Sequence, residues 1–148
     1  MTSKLLNGHG GLRTFALVLS TGDEAMASIA AFAREQQLRA TQFSAIGAFS
    51  RVVVAYFDWE TKDYRNIPIG EQVEVLSLLG DITLDDGKHR VHAHVVLGTA
   101  DATAHGGHLI EGHARPTLEI LLTETPTHLR RRFDAESGLA LIAPDSPG

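Results

Sequence analysis

Histidine is the residue whose type and spacing most clearly suggest chemistry. The chain has eight histidines in 148 residues and, apart from His9, all lie between His89 and His128. In Val91-His92-Ala93-His94-Val95, the two-residue period of an extended strand puts His92 and His94 on one side and the aliphatic residues on the other. Neutral imidazole nitrogen is a ligand for zinc and related divalent ions, and three histidines with one remaining position make an open site. The third ligand must come from elsewhere. Ala104-His105-Gly106-Gly107-His108-Leu109 offers His105 and His108, and its glycine pair permits close backbone approach that would bring His108 beside the first two. The expected ligand set is His92, His94 and His108, with zinc as the expected ion. His89, His105, His113 and His128 read as surface or turn residues. A His-x-His pair alone is equally what half-buried, hydrogen-bonded histidines produce, and the second cluster tips the reading toward a metal. With ligand bonds of about 2.0–2.1 Å, rings more than about 8 Å apart could not share one ion.

Three neutral ligands leave the ion's charge uncompensated, so a carboxylate is expected nearby. Glu74, in Val73-Glu74-Val75-Leu76-Ser77-Leu78, shares a face with Leu76 and Leu78 by strand alternation. It reads as an edge residue, as half of an internal salt bridge with Arg13 or Arg90, or as a partner to a ligand histidine or a base toward metal-bound water. It is the one catalytic candidate, and turnover here would be metal-dependent hydrolase or lyase chemistry. Other chemistries lack their motifs. No Gly-x-Gly-x-x-Gly opens a helix, no phosphate loop is present, and Ser20, Ser44, Ser50 and Ser77 have no nucleophile-elbow context. Arg130-Arg131-Arg132 could meet an anion but has the form of a solvated charge run.

The elements that must position these residues are mostly strands. Leu12–Leu19 is an apolar run that ends in turn chemistry at Ser20-Thr21-Gly22-Asp23. Thr21 or Asp23 could cap a helix over about residues 23–38, where Met26, Ile29, Ala30 and Ala33 fall at helical spacing. Ala40–Ala48 and Arg51–Asp58 read as two runs parted near Gly47. A short strand at Tyr64–Ile67 stops before Pro68, and Glu71–Leu84 is interrupted by Gly80. Asp85-Asp86-Gly87-Lys88 is a hairpin signal, because glycine supplies the positive φ the turn needs. His89–Leu97 returns along that hairpin, followed by Gly106–Gly112, Thr117–Thr125 and a short run at Leu139–Ile142. One helix among many strands with short connections predicts an α/β domain of the α+β kind, a mostly antiparallel sheet with the helix on one face. The domain is expected over residues 10–142, with residues 1–9 and 143–148 as loose termini.

Composition fits this picture. Apolar residues make up 43% and charged residues 21% of the chain, an ordinary globular balance. There is no cysteine, which removes disulfides and thiolate ligands and suits the cytoplasm. No apolar run reaches the roughly 18 residues of a membrane span. The start lacks the apolar centre of a secretory signal. A net charge of −5 argues against autonomous binding to nucleic acid.

Four stretches resemble the plants-and-prokaryotes conserved domain. They are Phe15 to Ala33; Phe43-Ser44-Ala45-Ile46-Gly47-Ala48-Phe49-Ser50-Arg51 with Val52–Asp58; Glu74-Val75-Leu76-Ser77-Leu78-Leu79-Gly80-Asp81; and His92-Ala93-His94 with Gly106-Gly107-His108-Leu109-Ile110-Glu111-Gly112. The last is the most specific, and the likeness spans about residues 10–142. The resemblance implies an α/β homotrimer and, in some prokaryotic members, a metal held in the pattern matched by His92, His94 and His108. It also implies a DNA-binding label. In plant members an AT-hook with an Arg-Gly-Arg-Pro core makes the DNA contact, and His113-Ala114-Arg115-Pro116, the nearest string here, does not match it.

Two functional classes follow. One is a homotrimeric metal-binding domain that takes a small ligand or supports metal-assisted chemistry. The other is a DNA-associated or transcription-associated module in which the histidines are structural.

Overall fold

Alternation of buried and exposed residues runs through most of the chain, and the computed structural model, which describes residues 1–145, turns it into strands. Along the sequence these are β1 (Thr2–Asn7), β2 (Arg13–Ser20), β3 (Thr41–Asp58), β4 (Asp63–Ile69), β5 (Val73–Asp85), β6 (Lys88–Gly98), β7 (Ala104–Glu124), β8 (Arg131–Asp134) and β9 (Leu139–Ile142). The single helix among the described residues, α1 (Ala25–Gln36), follows β2. Seven strands form one antiparallel sheet in the order β1-β2-β7-β6-β5-β3-β4, while β8 and β9 form a separate hairpin. β3 also pairs with β7, so β3, β5, β6 and β7 close into a ring of strands. The expected α+β class and mostly antiparallel sheet are both present.

The ring closes around a core to which each strand contributes its inward residues. These include Phe43 from β3, Leu78 and Ile82 from β5, Val95 and Leu97 from β6, and Leu118 and Ile120 from β7. Helix α1 adds Ile29, Phe32 and Ala33 to the same cluster, with Phe32 edge-on to Phe15 of β2 at 5.3 Å. Burying each such aliphatic or aromatic side chain contributes about 1.5–3 kcal/mol.

Several local expectations change. The two runs flanking Gly47 are one strand, and so are the two in β7, which holds a cis Arg115–Pro116 peptide. β3 bends within its span at Gly47, whose φ of 150° accompanies register shifts against both β5 and β7. Only a residue without Cβ fits there, since a Cβ would run into the Thr117 carbonyl. β4 continues through Pro68, which is tolerated because β4 is an edge strand whose outer side needs no donor. Glu24, rather than Thr21 or Asp23, caps α1, accepting from the amides of Met26 at 3.0 Å and Ala27 at 2.6 Å. Residues 2–7 are no loose terminus. They pair as β1 with β2. At the other end Ala143 is buried and its amide donates to Arg130, while residues 146–148 lie outside the described residues. No described helix is long and apolar enough to cross a membrane.

Candidate metal centre

The two-residue turn at Asp86-Gly87, with φ of 48° and 74°, fixes the register of β5 against β6. Counting outward from it, Thr83 faces Arg90, Asp81 faces His92 and Leu79 faces His94. On the far side of β6, His94 faces His108 of β7. Ala93 and Val95 point into the core, so His92 and His94 project from the outer surface. The glycine pair acts as its sequence position suggests. A Cβ on Gly106 would lie 2.8 Å from the Val95 carbonyl and one on Gly107 2.7 Å from that of Ala55. Glycine therefore lets β7 lie tightly between β6 and β3 where His108 begins.

The three expected histidines come together. Ring centroids are 5.0 Å apart for His92–His94, 5.0 Å for His92–His108 and 5.4 Å for His94–His108. One ring nitrogen from each lies within 4.8 Å of the others. His108 Nδ1 is buried without a hydrogen-bond partner among the described residues. An unpaired buried imidazole nitrogen is costly unless something binds it, so the donor set fits a divalent ion. Burial, reinforced by the neighbouring His92, His94 and Arg90, pushes the His108 pKa down to about 4. Burial, and then His92, lowers that of His94 as well. Both rings are thus kept neutral at pH 7, the form a metal requires.

The carboxylate beside the histidines is Asp81, not Glu74. Asp81 Oδ2 lies 3.5 Å from His92 Nδ1. Its other oxygen accepts from Arg131 Nη2 at 2.7 Å. Burial raises the Asp81 pKa, but the hydrogen bonds from His92 and Arg131 outweigh it and leave the carboxyl below its ordinary value. Glu74 is exposed and sits opposite Gly98 and Ala48, well along β5 from this site. A register shift between Val75 and Ser77 breaks the alternation, so Leu76 is exposed while Leu78 is buried. Neither expected partner meets Glu74: Arg13 lies beside Glu124 and Arg90 lines the cavity described below.

The arginine triplet is not a free basic surface. Arg131 turns inward, donating also from Nε to Thr83 Oγ1 and from Nη1 to the Ala140 carbonyl, each at 2.8 Å. It pins the β8–β9 hairpin over β5, next to a cavity of about 370 Å³. Tyr64, stacked on His108 at 4.7 Å, forms another wall of that cavity. Of the remaining histidines, His105 is exposed opposite Leu97. His113 is part-buried, 2.6 Å from Glu111 and 3.1 Å from Arg51.

On the outer surface beyond His94, the pairing runs from His94 to Leu79, then Ser44, then Leu121. Leu79 and Leu121 are 61% and 56% exposed, and Ile46, Leu76 and Val96 are also exposed on these strands.

The family model for the Plants and Prokaryotes Conserved (PCC) domain matches residues 7–126. A Pyrococcus horikoshii plant- and prokaryote-conserved protein is similar in structure, with 32% identity, a TM-score of 0.83, and coverage of 91% of this chain and 94% of its own. A metal-containing protein from Archaeoglobus fulgidus has 31% identity and a TM-score of 0.83, covering 97% and 99%. A Ralstonia eutropha JMP134 protein described as a candidate DNA-binding protein has 25% identity and a TM-score of 0.82, covering 87% and 90%. No curated protein matches the sequence significantly.

Proposed function

Because the chain belongs to the Plants and Prokaryotes Conserved domain family, we propose that it is a homotrimeric metal-binding domain holding a divalent ion on His92, His94 and His108. The observation that carries this reading is the convergence of one imidazole nitrogen from each of the three histidines within 4.8 Å, beside which His108 Nδ1 is buried without a hydrogen-bond partner. A relative of 31% identity that is itself metal-containing supports it. Three neutral nitrogens in an open set favour zinc, and a fourth position is left for water or a small ligand. Asp81 orients His92 and offsets part of the charge. When bound, the ion supplies Lewis-acid polarisation of an oxygen ligand. Trimer assembly is supported by the exposed apolar residues beside His94, which a second copy would cover. A chain without cysteine suits the cytoplasm.

The deciding experiment is metal analysis of purified protein and of its His92→Ala and His108→Ala variants after zinc loading. One equivalent of zinc in the parent, lost from both variants with their circular dichroism unchanged, is the expected result. Equal zinc content in all three proteins would make the histidines structural and remove this reading.

A further inference from the structure

We infer that the cavity beside the three histidines is a binding site for a small aliphatic carboxylate, its negative charge met by Arg90 and its apolar body by helix α1 and the β9 strand. This assignment rests on the metal reading above and names the class of ligand for that site.

The cavity volume, about 370 Å³, suits a metabolite-sized molecule and falls at the small end of ligand pockets. His92 and His108 line one side, so a molecule held there lies against two of the three imidazoles. Two arginines also reach it, with different roles. The Arg131 guanidinium gives one hydrogen bond from each of its nitrogens, to Thr83, Ala140 and Asp81, and so is held as part of the wall. Arg90 makes no ion pair or side-chain hydrogen bond among the described residues. Strand alternation places it on the same outer face as His92 and His94. A cation facing an open cavity beside a divalent site selects an anion.

The rest of the lining decides which anion. Met26, Val91, Leu139 and Leu141 are apolar, whereas a phosphate dianion needs several convergent donors. One planar guanidinium fork matches one carboxylate, and the aliphatic walls match a short hydrocarbon tail.

The test is calorimetric titration of zinc-loaded protein with isovalerate, with neutral isovaleramide and with inorganic phosphate, its zinc content measured in parallel. Isovalerate is expected to bind at least about tenfold more tightly than the amide or phosphate, as loss of a charged hydrogen bond implies. Arg90→Gln should lose about the same factor while keeping its zinc, and Arg90→Lys should recover part of it. Zinc-loaded protein that ignores isovalerate, prefers phosphate, or is indifferent to Arg90→Gln overturns this assignment alone. Protein that takes up no zinc overturns the metal reading, and this assignment with it.

Discussion

Asp81 and His92 face each other directly across the β5–β6 pair, with a carboxylate oxygen 3.5 Å from the ring nitrogen Nδ1. The other oxygen holds Arg131, 50 residues further along the chain. One carboxylate thus ties the histidine cluster to the hairpin that borders the cavity.

Breaking that link should separate affinity from stability. Asp81→Ala removes the partner that orients His92, and a fall in zinc affinity of about 10–100-fold is expected in competition with a chromogenic chelator. Arg131→Met leaves Asp81 part-buried with only His92 beside it. Partial exposure moderates the penalty to about 2 kcal/mol, or a loss of ~6 °C in Tm by calorimetry. Unchanged zinc affinity in Asp81→Ala would show that the contact does not orient the ring.

Acid should destabilise the metal-free protein in a defined window. The folded His108 pKa is about 4, below its ordinary 6.5, so between these values the unfolded chain binds a proton that the folded chain refuses. Stability is therefore full above pH 6.5 and is lost as pH falls through 4, with His94 acting in the same direction. The Asp81 carboxyl, lowered from 3.8, adds its loss only below that range. Urea midpoints of metal-free protein at about pH 7 and 4.5 should differ, and His108→Gln should flatten the difference. Identical slopes in parent and variant would mean that His108 titrates normally.

Assembly should depend on the apolar outer surface. Leu79 and Leu121 flank Ser44 across three strands, and a glutamate at either position would be buried unpaired in an interface. Light scattering should give three times the chain mass for the parent and one chain mass for a Leu79→Glu, Leu121→Glu double variant. A monomeric parent at micromolar concentration would remove the trimer from the proposal.

Duplex DNA should bind weakly. The chain carries a net charge of −5, and Arg131 of its arginine triplet is engaged by Asp81, Thr83 and Ala140. Fluorescence anisotropy at physiological salt should give a dissociation constant no tighter than about 1 μM, without sequence preference. A tighter, sequence-selective complex would favour the DNA-associated alternative.

The His-x-His pair was legible because strand alternation is local: once residues 91–95 are extended, His92 and His94 must share a side. The hairpin at Asp86-Gly87 was legible for the same reason, since its turn chemistry lies within four residues. Together they contained more than alternation alone drew out. A two-residue turn sets the register, and counting back from it reaches Asp81 opposite His92. Glu74 was the misplaced candidate because residue type was weighed without register: counted along the ladder it lies opposite Gly98, six positions along β6 from His92.

The rest belongs to tertiary structure. His108 meets His94 across the β6–β7 hairpin, but β7 closes the ring only by pairing its other edge with β3, where Ala55 faces His108, a contact set by packing over a long sequence separation. Arg131 reads as solvated charge in a string of three arginines, and becomes a buried clamp only when β8 folds against β5. Arg90 was indistinguishable from any exposed strand arginine until α1 and β9 built a cavity beside it. The sequence determined which side chains could share a face; only the closed sheet decided which faces meet, because register and burial depend on contacts between distant segments.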